Sequence, residues 1–236
     1  GFTLTGNLGA DNHFNSHWLL RQKLTLDRAI WATDSRSVPP LPDHEGVELN
    51  LPALDGAQWL AVLRQDDVDT VSHNASFPDS LTLRTPALTF GGQTWNNLSL
   101  VVRPVDGGKQ VDIQGREING TLLQHNNAPW NAAIKYLYYN PSWGNDAGKN
   151  PFHNEQGATA KIDFSQWPDL SIRCAECWLW GQKYGRIDGD LAIKNDTLTL
   201  TNGLVDTGFA TLTANGEWVN RTGDVRTAIK GKLTGN

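Results

Sequence analysis

Apolar and polar residues alternate with a period of two along much of the chain. Successive side chains of a strand point to opposite sides of the sheet, so this period predicts strands with one apolar and one polar side. The pattern predicts an all-β fold built as an antiparallel meander. The apolar positions that carry it are Leu24, Leu26 and Ile30; Leu98, Leu100 and Val102; Ile162 and Phe164; Leu198 and Leu200; and Leu212 with Trp218.

Short turn-forming sequences separate these alternating runs. Asn, Asp and Gly tolerate positive φ and suit tight hairpins. We therefore predict hairpin turns at four places, which are Asp106-Gly107-Gly108, Asn119-Gly120, Asn195-Asp196 and Asn202-Gly203.

One or two short helices are expected beside the sheet. Residues Leu54 to Arg64 have Asp55 as the N-cap and Gln58 three residues later, as in a capping box. We predict a short helix near residues 55–65. The proline cluster from Val38 to Pro42 is incompatible with a central strand and is predicted to be a loop.

The chain is predicted to have two sheet segments that form one continuous structural unit. Residues 1–140 make the first segment and residues 152–236 the second, with a polar loop at 141–151 between them. A faint repeat supports this division, because Gly92-Gln93-Thr94-Trp95 and Gly181-Gln182-Lys183-Tyr184 each precede an alternating run. Repeated sheet units indicate an elongated, stackable architecture.

Composition excludes several classes of function. The 236 residues include 20 Lys and Arg against 25 Asp and Glu, a net charge of −5, so neither a nucleic-acid footprint nor a polybasic membrane patch is present. No apolar run approaches the roughly 18 residues that a spanning helix needs. The sequence contains no Met. We therefore expect it to be an internal fragment of a longer protein.

The two cysteines, Cys174 and Cys177, are spaced as Cys-x-x-Cys. A catalytic redox pair would stand at a helix N-terminus, and a zinc site needs about four ligands, which the sequence does not supply. The remaining interpretations are a local structural disulfide or two buried thiols. In a regular strand, positions i and i+3 point to opposite sides, so a disulfide would require a bulge or a turn.

No motif in the sequence indicates catalysis. A nucleophile elbow, a phosphate-binding loop and a dinucleotide-binding glycine motif are all missing, and no metal-ligand spacing is convincing. We therefore predict that the chain is not an enzyme and requires no cofactor and no metal.

One stretch of the sequence resembles a known family. The residues that carry the similarity are Trp167 to Trp178, which include the Cys-x-x-Cys, then Gly181 to Gly185, Asp196 to Gly208 and Ala214 to Trp218. They resemble the YhdP-type, AsmA-like lipid-transport family, specifically over residues 167–220 and more loosely elsewhere.

The resemblance implies a fold and a function. Members of this family are envelope proteins anchored in the inner membrane, with a body of strongly curved, twisted β-groove units that have an apolar interior. They are thought to move phospholipid between the inner and outer membranes and to support the outer-membrane permeability barrier. The resemblance implies that this chain is a periplasmic segment, whose partners are phospholipid acyl chains and neighbouring segments of the same parent chain.

Alternation alone leaves another interpretation open. A filled β-sandwich, acting as a non-catalytic structural or ligand-binding module of the cell envelope, has the same pattern. The family resemblance favours the groove. It makes the twelve apolar residues that show the alternation the candidates for the groove lining.

Overall fold

The computed structural model of the chain describes residues 1–56, 75–142, 168–221 and 224–235. Sixteen strands of these residues belong to one sheet, and most neighbouring strands are antiparallel. The prediction of an all-β, mainly antiparallel fold is confirmed. The strands are β1 (Phe2–Asn7), β2 (His13–Leu20), β3 (Leu24–Ala32), β4 (Gly46–Asn50), β5 (Leu54–Asp55), β6 (Ala75–Ser76), β7 (Leu81–Phe90), β8 (Gln93–Val105), β9 (Gly108–Gln114), β10 (Ile118–His125), β11 (Trp130–Tyr139), β12 (Leu170–Leu179), β13 (Gln182–Lys194), β14 (Thr197–Asp206), β15 (Ala210–Arg221) and β16 (Asp224–Gly235).

The chain divides into two compact units. Unit 1 comprises Gly1–Phe90 with Thr94–Arg116, and unit 2 comprises Gly91–Gln93 with Glu117–Asn236. The loop predicted at 141–151 lies almost entirely outside the described residues, so the division at that loop stays a prediction. The predicted helix also lies outside them from residue 57 onward, while Leu54 and Asp55 form strand β5.

Parallel pairing interrupts the meander at three places along the main path of the described sheet, where β3 pairs with β4, β4 with β7, and β11 with β12. Off that path, β6 pairs with β3 and β5 pairs with β7, also in parallel. Parallel neighbours need a crossover of a dozen or more residues. The connections that precede β4, β7 and β12 are long enough, and the first of them contains the proline cluster from Val38 to Pro42.

Two of the four predicted turns are correct and two are wrong. Asp106-Gly107 joins β8 to β9, and Asn195-Asp196 joins β13 to β14 with φ values of 49° and 60°. Asn119-Gly120 and Asn202-Gly203 instead lie inside strands β10 and β14, where the strand register shifts. At Asn202 the bulge uses the same positive φ (53°) as a tight turn, so the dipeptide alone does not separate the two. At Asn119-Gly120 the extra residue is Lys135 of the partner strand β11.

Large aromatic side chains pack on one side of unit 1. Cross-strand partners share a side of the sheet, and Phe14 pairs with Trp31 and stacks on it at 6.1 Å between ring centroids. Trp18 pairs with Leu26 and meets Phe77 edge to face at 6.5 Å. These rings fill the apolar side of the sheet in this part of unit 1.

Ile30 does not share a side with Leu24 and Leu26, and the prediction that it does is wrong. The register between β2 and β3 shifts at His17 and Trp18, so Leu26 lies opposite Trp18 whereas Ile30 lies opposite Asn15 and Glu48. The extra residue of this bulge is Asp27, which reverses the phase of the alternation.

The proline cluster lies over the side of the sheet to which Ile30 belongs. Asn15 donates a hydrogen bond to the Pro39 carbonyl (3.0 Å), and Arg28 donates one to the Pro42 carbonyl (3.2 Å). Ile30 is buried, at 7% exposed. It is therefore a core residue beneath a loop.

Candidate functional site

The strand register of unit 2 places its apolar residues on one side of the sheet. Two rows of directly opposed residues run across the strands from β11 to β16. The first row is Trp130, Leu170, Leu191, Leu200, Gly216 and Ile229, and the second is Ile134, Cys174, Ile187, Val205, Leu212 and Leu233. Because opposed residues share a side of the sheet, both rows belong to what we call the apolar side of unit 2.

A row of small residues lies between these two rows on β13 to β16. Gly203 lies opposite Ala214, which lies opposite Gly231, and Gly189 follows Ile187 by two positions on β13. Space at Gly203 is closed to any larger residue, because a Cβ atom there would stand 2.5 Å from the Ala214 carbonyl oxygen. The small residues form a floor between two walls of larger side chains.

The floor and walls enclose an open cavity of about 220 Å³. We call it the furrow. Its floor is Gly189, Gly203 and Ala214, and its walls are Leu191 and Leu200 on one side and Ile187, Val205 and Leu212 on the other. Leu212 is 39% exposed, so the furrow is accessible from solvent. Apolar surface left in water is unfavourable, and the furrow therefore suits an apolar ligand.

The opposite side of the same strands is polar and hydrogen-bonded. The carboxylate of Asp190 accepts bonds from Asn202 Nδ2 (2.8 Å), Ser171 Oγ (2.7 Å) and Arg173 (3.0 Å), and these contacts, the Asn202 bond foremost, lower the Asp190 pKa to about 2. Asn215 Oδ1 accepts a bond from the Asn202 backbone N–H (3.1 Å). The network joins β12 to β15 and holds Asn202 in the bulge, beside the Gly203 of the furrow floor.

Cys174 and Cys177 form a disulfide within strand β12, with their Cα atoms 6.2 Å apart. The register with β13 shifts between the two cysteines, so the extra residue of a bulge turns both side chains to the same side. Both cysteines are buried, at 2% and 3% exposed. Cys174 stands next to Ile187 in the wall row, so the disulfide anchors the strand beside the furrow.

The bulge of β12 also places the next residue, Trp178, on the side of the sheet opposite Cys177. Tyr138 lies opposite Trp178, with ring centroids 5.8 Å apart, and Lys183 Nζ stands 5.7 Å from the centre of the Trp178 ring. Lys183 also pairs with Glu176 at 3.0 Å. Lys183 therefore already covers the Trp178 ring, and this aromatic cluster lies on the side of the sheet opposite the furrow.

The structure brings together four of the groove residues expected from sequence. Leu200 and Leu212 line the furrow, and Leu198 lies directly opposite Trp218 on the same side. Leu24 and Leu26 share one side of unit 1, and Leu100 and Val102 lie opposite Ile113 and Val111, next to Leu98 on β8. Ile162 and Phe164 lie outside the described residues.

Sequence reasoning missed most of the furrow. Ile187, Gly189, Leu191 and Ile193 alternate with charged residues and Ala192, a signal that was readable in β13. Val205 was hidden, because the bulge at Asn202 and Gly203 puts it out of phase with Leu198 and Leu200. The small floor residues Gly189 and Ala214 keep the phase of the alternation but give only a weak apolar signal of their own.

Two kinds of feature are absent from residues 1–56, 75–142, 168–221 and 224–235. Within these ranges, no helix has both the length and the hydropathy needed to cross a membrane. In the same part of the chain, no three His, Cys, Asp or Glu side chains are grouped so as to hold a metal ion.

A sheet with one polar side, and one apolar side that opens into a furrow, defines a class of β-proteins suited to hold an apolar ligand. Comparison with known proteins identifies the family. The model of the YhdP protein family matches residues 1–236, and the chain belongs to that family. The resemblance expected from residues 167–220 is confirmed.

One curated relative extends this result. The chain is 60% identical over 234 residues to the intermembrane phospholipid transporter YhdP of Escherichia coli (strain K12). The match covers 99% of this chain but 18% of the relative, so the chain spans under a fifth of the length of that protein. No solved structure shows a significant match.

Proposed function

We propose that this chain is a phospholipid-holding segment of a larger intermembrane lipid transporter. The observation that carries the proposal is the furrow, an open apolar cavity in unit 2. It occurs in a chain that is 60% identical to a protein named as a phospholipid transporter. The ligand is the acyl chain of a phospholipid, and the role is non-catalytic.

The energetics of acyl chains support this role. Each methylene moved from water to an apolar site is stabilised by about 0.8 kcal/mol. The furrow offers Leu, Ile and Val side chains at its walls, and the one charged residue among the described residues of its lining, Asp188, is neutralised by Arg186 at 2.6 Å. An apolar surface that binds each methylene similarly lets a chain slide without a chemical step.

The proposed lipid-contacting residues are those of the apolar side of unit 2. Leu198, Leu200, Leu212 and Trp218 are the members expected from sequence, to which the structure adds Ile187, Leu191 and Val205. In unit 1, Leu24, Leu100 and Val102 are proposed as contacts of the same kind. Leu26 and Leu98 are 6% and 5% exposed and would support the lining from within the core.

The proposal includes a location and a protein partner. β1 and β16 each pair with a single strand in the described sheet, and β16 exposes Ile229 (58%) and Leu233 (71%). Strand edges of this kind readily pair with further strands. We assign the further strands that pair with β1 and β16 to neighbouring segments of the same parent chain. That parent chain would lie in the periplasm, anchored in the inner membrane, and would support the outer-membrane barrier.

Native mass spectrometry tests the proposal. The 236-residue chain is purified from bacteria without detergent, and bound molecules are extracted and identified. We expect stoichiometric phospholipid. The double substitution Leu200→Asp with Leu212→Asp introduces two charges into the furrow walls and should remove the lipid.

The matched control uses the neighbouring residues on the polar side. Thr199→Asp with Thr213→Asp adds the same charge to the same two strands but faces away from the furrow. It should retain the lipid, and circular dichroism should show that both variants are folded. If the unsubstituted 236-residue chain carries no lipid and unfolds in a cooperative thermal transition, this segment is a closed β-module.

A further inference from the structure

The row of small residues that contains the furrow floor is about as long as a single acyl chain. The floor residues Gly189, Gly203 and Ala214 lie on β13 to β15, and Gly231 on β16 continues the row beyond the cavity lining, so that the row covers four adjacent strands. Strands lie about 4.8 Å apart, so three intervals span about 14 Å. The hydrocarbon core of a bilayer is about 30 Å thick and two chains deep, which leaves about 15 Å for each chain. The floor is closed on the β12 side, where Ile172 lies opposite Gly189.

The width of the furrow also matches one chain. The two walls stand four residues apart along β13, at Ile187 and Leu191, or about 13 Å between backbone positions. The wall side chains take up part of that width. Carbon atoms in contact are about 3.5–4.0 Å apart, so one chain touching both walls needs about 7–8 Å, and a second beside it would need about 4 Å more.

We propose that the furrow holds one acyl chain at a time, laid across strands β13 to β16 and perpendicular to them. The second chain of a diacyl phospholipid lies outside the furrow. The inference rests on the proposed function and adds to it the direction and the number of chains. A chain in this direction passes from strand to strand, and therefore towards β16, whose apolar Ile229 and Leu233 continue the two walls.

Photo-crosslinking measures the direction. The 236-residue chain is loaded from phosphatidylethanolamine–phosphatidylglycerol vesicles that contain a lipid with one diazirine, placed in turn near the carboxyl end, the middle and the tip of one acyl chain. We expect the labelled residues to move between strands, from Ile187 and Leu191 on β13 towards Ile229 and Leu233 on β16, or in the reverse order. Labels that move along β14, from Leu198 to Leu200 to Val205, would overturn the proposed direction while leaving lipid binding intact.

The same lipid with a diazirine on both chains measures the width. Peptide mapping should find one attachment to furrow residues per lipid. Two attachments of one lipid within the furrow would overturn the single-chain width. Complete absence of crosslinks in unit 2 would overturn the proposed function of this unit itself, so the two failures are distinguishable.

A matched pair of substitutions completes the test. Ala214→Leu fills the floor, whereas Ala228→Leu adds the same side chain on β16, opposite Glu217 on the polar side. Loss of contact with about two methylenes corresponds to roughly tenfold weaker binding, so we expect wall crosslinks to fall about tenfold in Ala214→Leu. They should stay unchanged in Ala228→Leu. Equal crosslinking in the two variants would show that the chain lies elsewhere.

Discussion

The two units build their apolar sides from the same alternation but fill them differently. In unit 1, Phe14 stacks on Trp31, and Leu98 is buried at 5% exposed. In unit 2, the corresponding space holds Gly203 and Ala214 between aliphatic walls, and Leu212 is 39% exposed. Large rings complete their own core, whereas a row of small residues leaves an open cavity.

The difference shows which feature of the sequence distinguishes a core from a site. Alternation determines which side of a strand is apolar, and that holds equally for Leu98 and Leu212. The size of the residues in the neighbouring apolar positions determines whether the side is filled. A row of Gly and Ala aligned across several strands is visible only once the register is known, because the residues come from different parts of the chain.

The largest expected difference between the units concerns truncation of a leucine. Leu98→Ala should lower the free energy of unfolding by about 2–5 kcal/mol, as for a buried leucine that leaves a cavity. Leu212→Ala should cost about 1 kcal/mol, since its side chain is already partly in water. Urea titrations measure both changes.

Lipid occupancy, measured by native mass spectrometry, should change in the opposite order. Leu212→Ala should reduce it, and Leu98→Ala should leave it unchanged in the folded fraction. Equal loss of stability in the two variants would mean that Leu212 is core and that the furrow is closed in solution.

The next largest effect concerns the disulfide. Replacing Cys174 and Cys177 together by serine removes a short crosslink that contributes about 2 kcal/mol in the chain-entropy description. Unit 1 contains no cysteine, so its amide hydrogen exchange is the internal control. We expect faster exchange in β11 to β13 alone. Acceleration throughout unit 1 as well would show that the disulfide stabilises the whole chain and not the bulge beside the furrow.

Most of the strand pattern was accessible from the sequence, because period-two alternation directly reflects burial on one side. Bulges were the main obstacle. Asp27 reverses the phase in β3, and Asn202 with Gly203 reverses it in β14, so Ile30 was placed on the wrong side and Val205 was missed. Each bulge adds one residue without any break in composition, and only the partner strand reveals it.

The candidate site was less accessible than the fold. Its walls come from β13, β14 and β15. Strand pairing makes Leu200 and Gly216, which are sixteen positions apart in sequence, direct neighbours on one side of the sheet. The parallel pairing of β11 with β12 depends on a long connection whose path no local pattern specifies. For Cys174 and Cys177, the spacing in the sequence predicted that a disulfide would require a bulge or a turn. The disulfide does coincide with a bulge in β12.

A smaller effect is expected at the residue whose side was misassigned. Ile30→Val should lower the free energy of unfolding by about 1 kcal/mol, because it removes one buried methylene beneath the proline cluster. Lipid crosslinks should be unaffected, since Ile30 faces away from Leu26 and the apolar side of unit 1. Leu24→Val is the matched control on the apolar side. If crosslinking fell in Ile30→Val and stayed unchanged in Leu24→Val, the assignment of the two sides would be reversed.

The smallest effect is the pH dependence from the polar side of unit 2. Hydrogen bonds from Asn202, Ser171 and Arg173 hold the pKa of Asp190 at about 2, below the value of about 3.9 in an unfolded chain. A pKa that is lower in the folded state stabilises the fold above the unfolded value, and this stabilisation is lost as the pH falls from about 4 to about 2. Asp190→Asn should therefore lower the melting temperature most at pH 5 and above, with the difference from the unsubstituted chain shrinking towards pH 2.

Asp196→Asn, in the turn between β13 and β14, serves as the control for removing one carboxylate from the same region. A difference at Asp190 that is constant from pH 7 to pH 2 would show that the carboxylate charge is not what holds the Asn202 bulge behind the furrow floor.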